Sequence, residues 1–447
     1  MENQEQSTFE KFNNWVRQSI TIRLISIGIL ILLLLIPSAM VQDLIKEREY
    51  RREAAKSEIS SKWGEIQTLS GPILSIPFYR YYKNEKDQWV KTIDYAHFLP
   101  ESQNVKGTLS PNERKRGIYK IIVYNTKLQF SGEFKQPDFG EWEINDKDIL
   151  WENAFVSFGI PDMKGVQKNV HIKWNQKDIE FNPGLETKDV LASGITTKVP
   201  LAIEDSSVNY AFEIDLDING SNELNFLPIG KETNVNLKSS WPSPSFDGQF
   251  LPDERKVTND GFTAKWNVLH VNRNYPQQWT GNLHNIYDSI FGVKLILPVD
   301  EYQKADRSAK YAVMFIAFTF LIFFFIEIIN KKRIHPIQFI LVGLALCIFY
   351  ALLIALSEHI HFNYAYIISS LAIIGLISAY TLSVFDNKKL TLFMTGVLVV
   401  LYAFIFIILQ LEDYALLMGS IGLFIVLATV MYQTRKIDWY NIGKSKK

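Results

Sequence analysis

Six long apolar stretches constrain this 447-residue chain more than any other feature. An α-helix needs about 20 apolar residues to cross the roughly 30 Å hydrocarbon core of a bilayer, and each stretch is close to that length. Because hydrocarbon offers no partners to free backbone groups, we expect six transmembrane helices. The stretches are 24–41, 311–329, 337–356, 362–384, 390–409 and 414–431.

The first stretch is either a cleaved signal peptide or a retained membrane anchor. Its segment Pro37-Ser38-Ala39-Met40 matches the small-x-small cleavage pattern poorly, so we read it as an anchor. Residues 42–60 contain no Pro or Gly and mix acidic with basic residues. They are predicted to continue the helix, with i,i+4 pairs such as Glu47 and Arg51.

The polar segment after this helix is long enough to form a domain of its own. The single cysteine, Cys347, lies in an apolar stretch, so no disulfide is possible within the chain and the domain must rely on its core. The 47 Lys and Arg residues balance 47 Asp and Glu residues, so no overall charge attracts nucleic acid. We therefore expect no nucleic-acid partner.

Alternating apolar and polar residues predict a domain of β-strands in this segment. From Tyr210 to Ile218 the alternation is that of a half-buried strand. Asn219-Gly220 then predicts a tight hairpin, with Leu224 and Phe226 on the return strand. Similar runs occur at 73–82, 119–130, 170–181, 197–203 and 262–272. Many short strands without a long amphipathic helix indicate an antiparallel sandwich or barrel-like domain.

Two further patterns in the segment have an ordinary and a functional reading. Most of the tryptophans lie in this segment. They either fill a core that has no disulfide or line a site for an apolar or sugar ligand. We favour the core, because the tryptophans have no common spacing. The triplet Phe-Leu-Pro at 98–100 and 226–228 precedes an Asn-Val pair each time. It marks either a duplicated β-subdomain or, as we favour, a chance repeat of a turn motif.

Basic residues in the short loops predict the orientation of the chain. They occur after the second stretch (331–333), after the fourth (388 and 389) and after the last, and are absent from the loops between. This pattern places both termini in the cytoplasm and residues 42–310 outside it. The basic residues at 46–56 oppose it, but such flanks of long translocated domains carry less weight.

The loop before the fourth stretch carries Glu358, His359 and His361, the most suggestive polar cluster. His-x-His beside a carboxylate can bind a transition metal, and a histidine titrates near neutral pH, which makes this a candidate proton- or cation-sensitive site. Because only three ligands are local, we favour helix capping at the membrane interface. We expect neither a metal nor a cofactor.

Two groups of carboxylates also have alternative readings. Glu327 lies in an apolar stretch, where it is a proton-relay group or, as we favour, reaches the interface and pairs with Lys331. Glu213, Asp215 and Asp217 share one face of a strand, and we read them as solvated rather than as calcium ligands.

The end of the chain is predicted to anchor the last helix at the membrane interface through Arg435, Asp438, Trp439 and Tyr440. The sequence contains no His-Glu-x-x-His, Gly-x-Ser-x-Gly, Walker or dinucleotide-binding motif. We therefore predict a protein that is not an enzyme.

Several motifs together resemble those of the CreD family of bacterial inner-membrane proteins. They are Gln67-Thr-Leu-Ser-Gly71-Pro72, the segment from Trp241 to Pro252, Leu356-Ser-Glu-His359, the segment from Asp413 to Ser420, and the segment from Met431 to Tyr440. The resemblance implies an inner-membrane location, a periplasmic domain and a role in cell-envelope integrity or envelope stress. It brings no catalytic residues.

The predicted organisation is a cytoplasmic N-terminus (1–23), a transmembrane helix (24–41), a charged helix (42–60), a periplasmic β-rich domain (61–310), a five-helix bundle (311–431) and a cytoplasmic tail (432–447). The fold class is thus membrane α-helical with a large inserted antiparallel β-rich domain. We expect a non-catalytic protein that supports the envelope, with the bilayer and an envelope protein or lipid as partners. The alternatives are a transporter or lipid-handling protein that uses the bundle as a conduit, and an enzyme acting on lipid or peptidoglycan precursors.

Overall fold

A computed structural model describes residues 20–201, 208–297, 301–330, 334–411 and 414–435. The chain forms two compact units, a helical unit of Met1–Arg51 with Val299–Lys447 and a β-rich unit of Arg52–Pro298, here called the β-domain. The helices are α1 (Ile20–Trp63), α2 (Glu301–Lys310), α3 (Ala312–Asn330), α4 (Pro336–Ser357), α5 (Phe362–Phe385), α6 (Lys388–Gln410) and α7 (Ala415–Thr434).

Four of the described helices are long and apolar enough to cross a membrane, namely α1, α4, α5 and α6. A fifth span results if α2 and α3 are counted together, since they are bent by 41° at a short break. Within the 20 residues of α7, the part whose side chains the structure describes, Leu417–Tyr432, is apolar but too short to count as a span by itself. The predicted count of six spans is therefore not confirmed, whereas a helical membrane unit with four or five spans is.

Helix α1 is one continuous helix of 44 residues, about 66 Å long at 1.5 Å per residue. Its first half is apolar and contains Pro37, and its second half includes the residues predicted as a charged helix. Arg51 binds Glu47 at 2.6 Å, which is the predicted i,i+4 pair.

The β-domain contains two sheets. The strands are β1 (Gln67–Lys83), β2 (Trp89–Phe98), β3 (Ser102–Arg116), β4 (Tyr119–Phe134), β5 (Phe155–Gly159), β6 (His171–Trp174), β7 (Lys177–Glu180), β8 (Asn182–Pro183), β9 (Gly194–Lys198), β10 (Tyr210–Ser221), β11 (Glu223–Phe226), β12 (Glu232–Ser239), β13 (Pro244–Gly248), β14 (Glu254–Thr258), β15 (Gly261–Leu269), β16 (Gln278–Thr280) and β17 (Phe291–Leu295). One sheet has the order β13-β17-β11-β1-β5-β9-β8, with β2 and β16 joined to β1. The other has the order β14-β15-β12-β3-β4-β10-β6-β7.

The sheets are mixed, which corrects the prediction of a purely antiparallel domain. Most pairs are antiparallel, but β1 pairs with β11 in parallel and β3 pairs with β12 in parallel. Parallel neighbours are distant in sequence, so no local turn signal announces them.

The prediction of a hairpin at Asn219-Gly220 is wrong. Strand β10 continues through both residues to Ser221 and pairs Gly220 with Tyr124 of β4. The chain turns only at Asn222, whose φ is 60°, and β11 then joins the other sheet. Gly220 is required for a different reason, because a side chain there would overlap the phenol ring of Tyr124.

Residues from both sheets share one large core, so the domain is a sandwich. Phe130 of β4 and Phe158 of β5 meet edge to face across it, with ring centroids 4.9 Å apart. Trp174 and Trp266 are fully buried, as the core reading of the tryptophans predicts. A smaller second core, formed around Ile73, includes residues from the 184–193 loop and from the segment 275–290.

Candidate functional site

Glu358 is the centre of a polar cluster in the helical unit. It caps the C-terminus of α4, and its side chain is only 8% exposed. The Tyr302 hydroxyl of α2 donates a hydrogen bond to its carboxylate at 2.9 Å, and Arg48 of α1 lies 3.6 Å away. Three helices thus converge on one carboxylate, and sequence reasoning did not identify either partner.

The two histidines predicted beside Glu358 do not join it in one site. His361 is the N-cap of α5, where its Nδ1 accepts a hydrogen bond from the backbone N–H of Asn363. His359 is exposed. Among the described residues no three His, Cys, Asp or Glu side chains are grouped as metal ligands would be. The capping interpretation therefore describes His361, and Glu358 acts as an ion-pair partner.

A second ion pair lies at the opposite end of the helical unit. The Glu327 carboxylate, near the end of α3, is 6% exposed and accepts a hydrogen bond from Arg23 of α1 at 2.7 Å. The predicted pairing with Lys331 concerns a residue outside the described part of the chain. Glu327 instead binds a residue far away in sequence, which explains how a carboxylate is tolerated there.

Of the predicted terminal anchor, only Arg435 belongs to the described residues. Its guanidinium lies over the ring of Tyr432, 3.9 Å from the centroid. Asp438, Trp439 and Tyr440 lie outside the part of the chain that the structure describes.

The acidic row on β10 lines an open groove of about 570 Å³ on the β3-β4-β10-β6 face. Lys173 pairs with Glu213 at 3.3 Å, and Lys168 pairs with Asp217 at 3.5 Å. Gln129 of β4 donates to Glu213 at 2.8 Å. Two of the three carboxylates are thus paired with lysines and Asp215 is exposed, which fits the interpretation of a solvated face.

The hairpin formed by β1 and β2 carries the most exposed aromatic residues of the β-domain. We call its outer part, residues 79–93, the aromatic hairpin. Trp89 is 69% exposed, Ile93 is 55% exposed, and Tyr81 and Tyr82 are each 48% exposed. Exposed apolar patches of this kind mark binding surfaces more often than isolated surface residues do. Lys91 lies over the ring of Tyr79, 3.3 Å from its centroid.

A buried polar chain links Ser75, His97 and Asp189 in the β-domain. Ser75 and His97 are opposite each other on β1 and β2, and Ser75 Oγ is 2.9 Å from His97 Nδ1. The other ring nitrogen is 3.4 Å from the carboxylate of Asp189 in the 184–193 loop. Burial lowers the pKa of His97, and Asp189 offsets part of that shift.

Ser75, His97 and Asp189 are the residue types of a hydrolase triad, but the cavity beside them is too small for a substrate. The adjoining cavity, lined by Thr187 and Leu191 among others, has a volume of about 10 Å³. That is about the space of one water molecule. A neutral imidazole satisfies both contacts, because Nδ1 accepts from the serine hydroxyl while Nε2–H donates to the carboxylate.

The residues that sequence reasoning missed become neighbours only through pairing of distant segments. Arg23 and Glu327 are 304 positions apart, and Asp189 is 92 positions from His97. The one local signal was the hairpin itself, where Tyr81, Tyr82 and Trp89 flank a charged turn.

Comparison with known proteins gives consistent results. Residues 19–440 match the family described as Inner membrane protein CreD. The chain is also 33% identical over 426 residues to Inner membrane protein CreD of Escherichia coli strain K12, with 93% of each chain covered. Both matches include the helical unit and the β-domain.

Proposed function

Because the chain belongs to the CreD family of inner membrane proteins, we propose that it supports cell-envelope integrity without catalysing a reaction. In this proposal the β-domain lies outside the cytoplasm and binds a component of the envelope. The helical unit anchors it in the inner membrane as a multi-pass protein.

The aromatic hairpin is the observation that carries the binding role. Strand β1 begins four residues after α1 ends and is 17 residues long, so its far end is about 50 Å along the strand from that start. Trp89 and Tyr82 at that far end are exposed on a ribbon of two strands. Large amphipathic rings of this kind provide contact area at low entropic cost when a partner binds.

We further propose six spans with both termini in the cytoplasm. The basic residues of the short loops support this orientation. A reporter enzyme that is active only outside the cytoplasm is expected to be active when fused near Pro200 and inactive when fused near Lys388. The opposite pair of results would reject the orientation.

Photocrosslinking in living cells tests the binding role. A photoreactive residue replaces Tyr82 or Trp89 in turn, and Lys238, an exposed residue on the other sheet, serves as the control position. We expect discrete adducts from both hairpin positions and none from the control. Equal adducts from all three positions would contradict the proposal. Mass spectrometry of the adducts then distinguishes a protein partner from a lipid, and a lipid would favour the lipid-handling alternative.

A matched pair of variants connects the hairpin with envelope integrity. Tyr81→Ala with Trp89→Ala is expected to lower survival under envelope stress, because the binding surface is removed. His359→Ala, on an exposed residue of the helical unit, is expected to leave survival unchanged. Unchanged survival of the hairpin variant at normal protein abundance would reject the role of this surface.

A further inference from the structure

Within the described part of the chain, no strand covers the outer edge of β2 along the aromatic hairpin. β16 pairs with β2 only at Ala96, His97 and Phe98. Just beyond it, the N–H of Gly281 donates to the carbonyl of Tyr95 at 2.9 Å, which shows that the backbone of Tyr95 is directed away from β1.

Alternate residues of an antiparallel strand direct their backbone groups to the same side. Trp89, Lys91 and Ile93 therefore direct their N–H and C=O groups to the outer edge, as Tyr95 does. No strand among those in the described residues pairs with this stretch. The edge is open over five residues, about 17 Å.

We propose that this edge binds an extended peptide segment of an envelope protein as an added antiparallel β-strand. The proposal rests on the proposed function and names the class of partner. Main-chain hydrogen bonds to Trp89, Lys91 and Ile93 provide the register, and side chains that flank the edge provide the selection.

The side chains define the sequence of the partner strand. Trp89, Lys91 and Ile93 lie on one face of the hairpin, opposite Lys83, Tyr81 and Tyr79 of β1. An added strand thus needs apolar residues opposite Trp89 and Ile93 and an acidic residue opposite Lys91. The pattern is apolar-x-acidic-x-apolar.

A second copy of the same edge is a poor occupant. The antiparallel register that pairs all five residues places Lys91 opposite its own copy. Like charges directly opposite each other destabilise a strand pair. A lysine at this position also reduces unwanted edge-to-edge association, which natural sheets commonly avoid in this way.

Peptide binding to the full-length protein in lipid nanodiscs tests the proposal. The probe is a fluorescein-labelled peptide, Thr-Val-Thr-Glu-Thr-Val-Thr, measured by fluorescence anisotropy. Replacing its Glu by Lys is expected to weaken binding at least five-fold. Methylation of the Val and Glu amides, which face the edge, is expected to abolish binding, whereas methylation of the inner Thr amides, which face away, is expected to preserve it.

Two protein variants complete the test. Ile93→Pro removes one outward N–H and is expected to abolish binding, whereas Ile93→Ala retains that N–H and is expected only to weaken it. Lys91→Glu is expected to reverse the preference, so that the Lys peptide binds at least five-fold more tightly than the Glu peptide. This charge reversal keeps the test decisive even if the proline variant fails to fold.

Binding that ignores both peptide charge and amide methylation would overturn the proposal, and so would no binding to the wild-type protein. Concentration-dependent dimerisation of the wild-type protein that Ile93→Pro abolishes would identify a second copy as the occupant and would also overturn it. If the peptides fail while the hairpin positions still crosslink in cells, the partner class is wrong and the proposed function stands. If neither occurs, both are wrong.

Discussion

Glu358 lies one residue beyond α4, yet its carboxylate is shielded by residues of two other helices. Its burial carries a desolvation cost, which Arg48 and the Tyr302 hydroxyl offset. The motif around Glu358 suggested a proton- or metal-sensitive loop. The contacts favour a role in closing that end of the bundle.

Replacing Glu358 by Gln is expected to destabilise the helical unit by about 2 kcal/mol. This is less than the ~3–5 kcal/mol typical of a fully buried pair, because Arg48 is still 37% exposed. The measurement is thermal or denaturant unfolding in detergent, followed by a probe in the helical unit. His359→Ala is the control and should change the free energy of unfolding little. Equal losses for both variants would contradict this account.

His97 is expected to make the β-domain less stable in acid. Its pKa in the folded state is below the ordinary value of about 6.5, so the folded state binds fewer protons than the unfolded state. The stabilising effect of the neutral ring is complete at pH 7.5 and declines as the pH falls from about 6.5 through the folded-state pKa. Denaturant unfolding at pH 7.5 and pH 5.5 measures the loss.

Two histidine variants separate this contribution from general acid effects. His97→Gln retains hydrogen-bonding groups without titrating in this range, so the acid-dependent loss should shrink. His270→Gln, in the 3₁₀ turn after β15, should leave the loss as it is in the wild type. An undiminished acid effect in His97→Gln would mean that other groups are responsible.

Sequence reasoning found residue types at these sites but not their partners. The carboxylates Glu327 and Glu358 were recognised because charge is unusual near apolar stretches. Their partners Arg23 and Arg48 were not, because pairing across helices depends on rotation and depth that one sequence does not reveal. His97 carried no signal at all, since its role depends on the register between β1 and β2.

At the scale of elements, local patterns predicted strands better than their connections. The alternation at 210–218 is a real strand, but the Asn-Gly after it is not a turn. Turn propensity is overridden there because β4 continues beside β10 and offers backbone partners to Asn219 and Gly220. The sequence predicted helix α1 as two segments, a transmembrane helix and a charged continuation, because its apolar and charged residues lie in separate halves.

Gly220→Ala is expected to destabilise the β-domain by about 1–3 kcal/mol through overpacking. The added methyl group would overlap the ring of Tyr124, whose hydroxyl donates to the Glu223 carbonyl at 2.6 Å. Chemical denaturation of the protein measures the change. Combining Gly220→Ala with Tyr124→Phe should cost less than the sum of the two single changes, because part of the overlap is removed. Simple additivity would argue against this packing explanation.

The two Asn-Val pairs that follow the repeated Phe-Leu-Pro motif lie side by side in one sheet. Asn104 pairs with Asn234 and Val105 pairs with Val235 in the parallel ladder of β3 and β12. Each of these strands also has an antiparallel neighbour on its other side, β4 and β15 respectively. Matching motifs in matching strand surroundings are what a duplicated β-subdomain predicts. Duplication therefore stays a prediction beside the chance repeat of a turn motif.

At the scale of the whole molecule, the β-domain is expected to fold without the helical unit. Its two cores are formed by residues between Leu69 and Leu295, and it needs no disulfide. Expressed alone, residues 52–298 should unfold in one cooperative transition with a blue-shifted tryptophan emission before unfolding. A fragment that binds hydrophobic dyes strongly and unfolds gradually would show that the domain depends on the helices.

The division into a membrane unit and a large inserted domain followed directly from where apolar residues lie. The number of spans was not confirmed, because the helix of the second predicted span follows a bend at a short break after α2 and the described part of the last span is short. The parallel strand pairs within the two sheets could not be predicted from the sequence either, because parallel pairing leaves no signature in a single short segment.

The ion pairs of Arg23 and Arg48 fix α1 at two depths about 25 residues apart, roughly 37 Å along the helix axis. Both carboxylates belong to the same helical unit, so a bilayer whose thickness does not suit that interval either deforms around the protein or strains one of the pairs. Reconstitution into bilayers with shorter or longer tails should make one of the two arginines release its carboxylate.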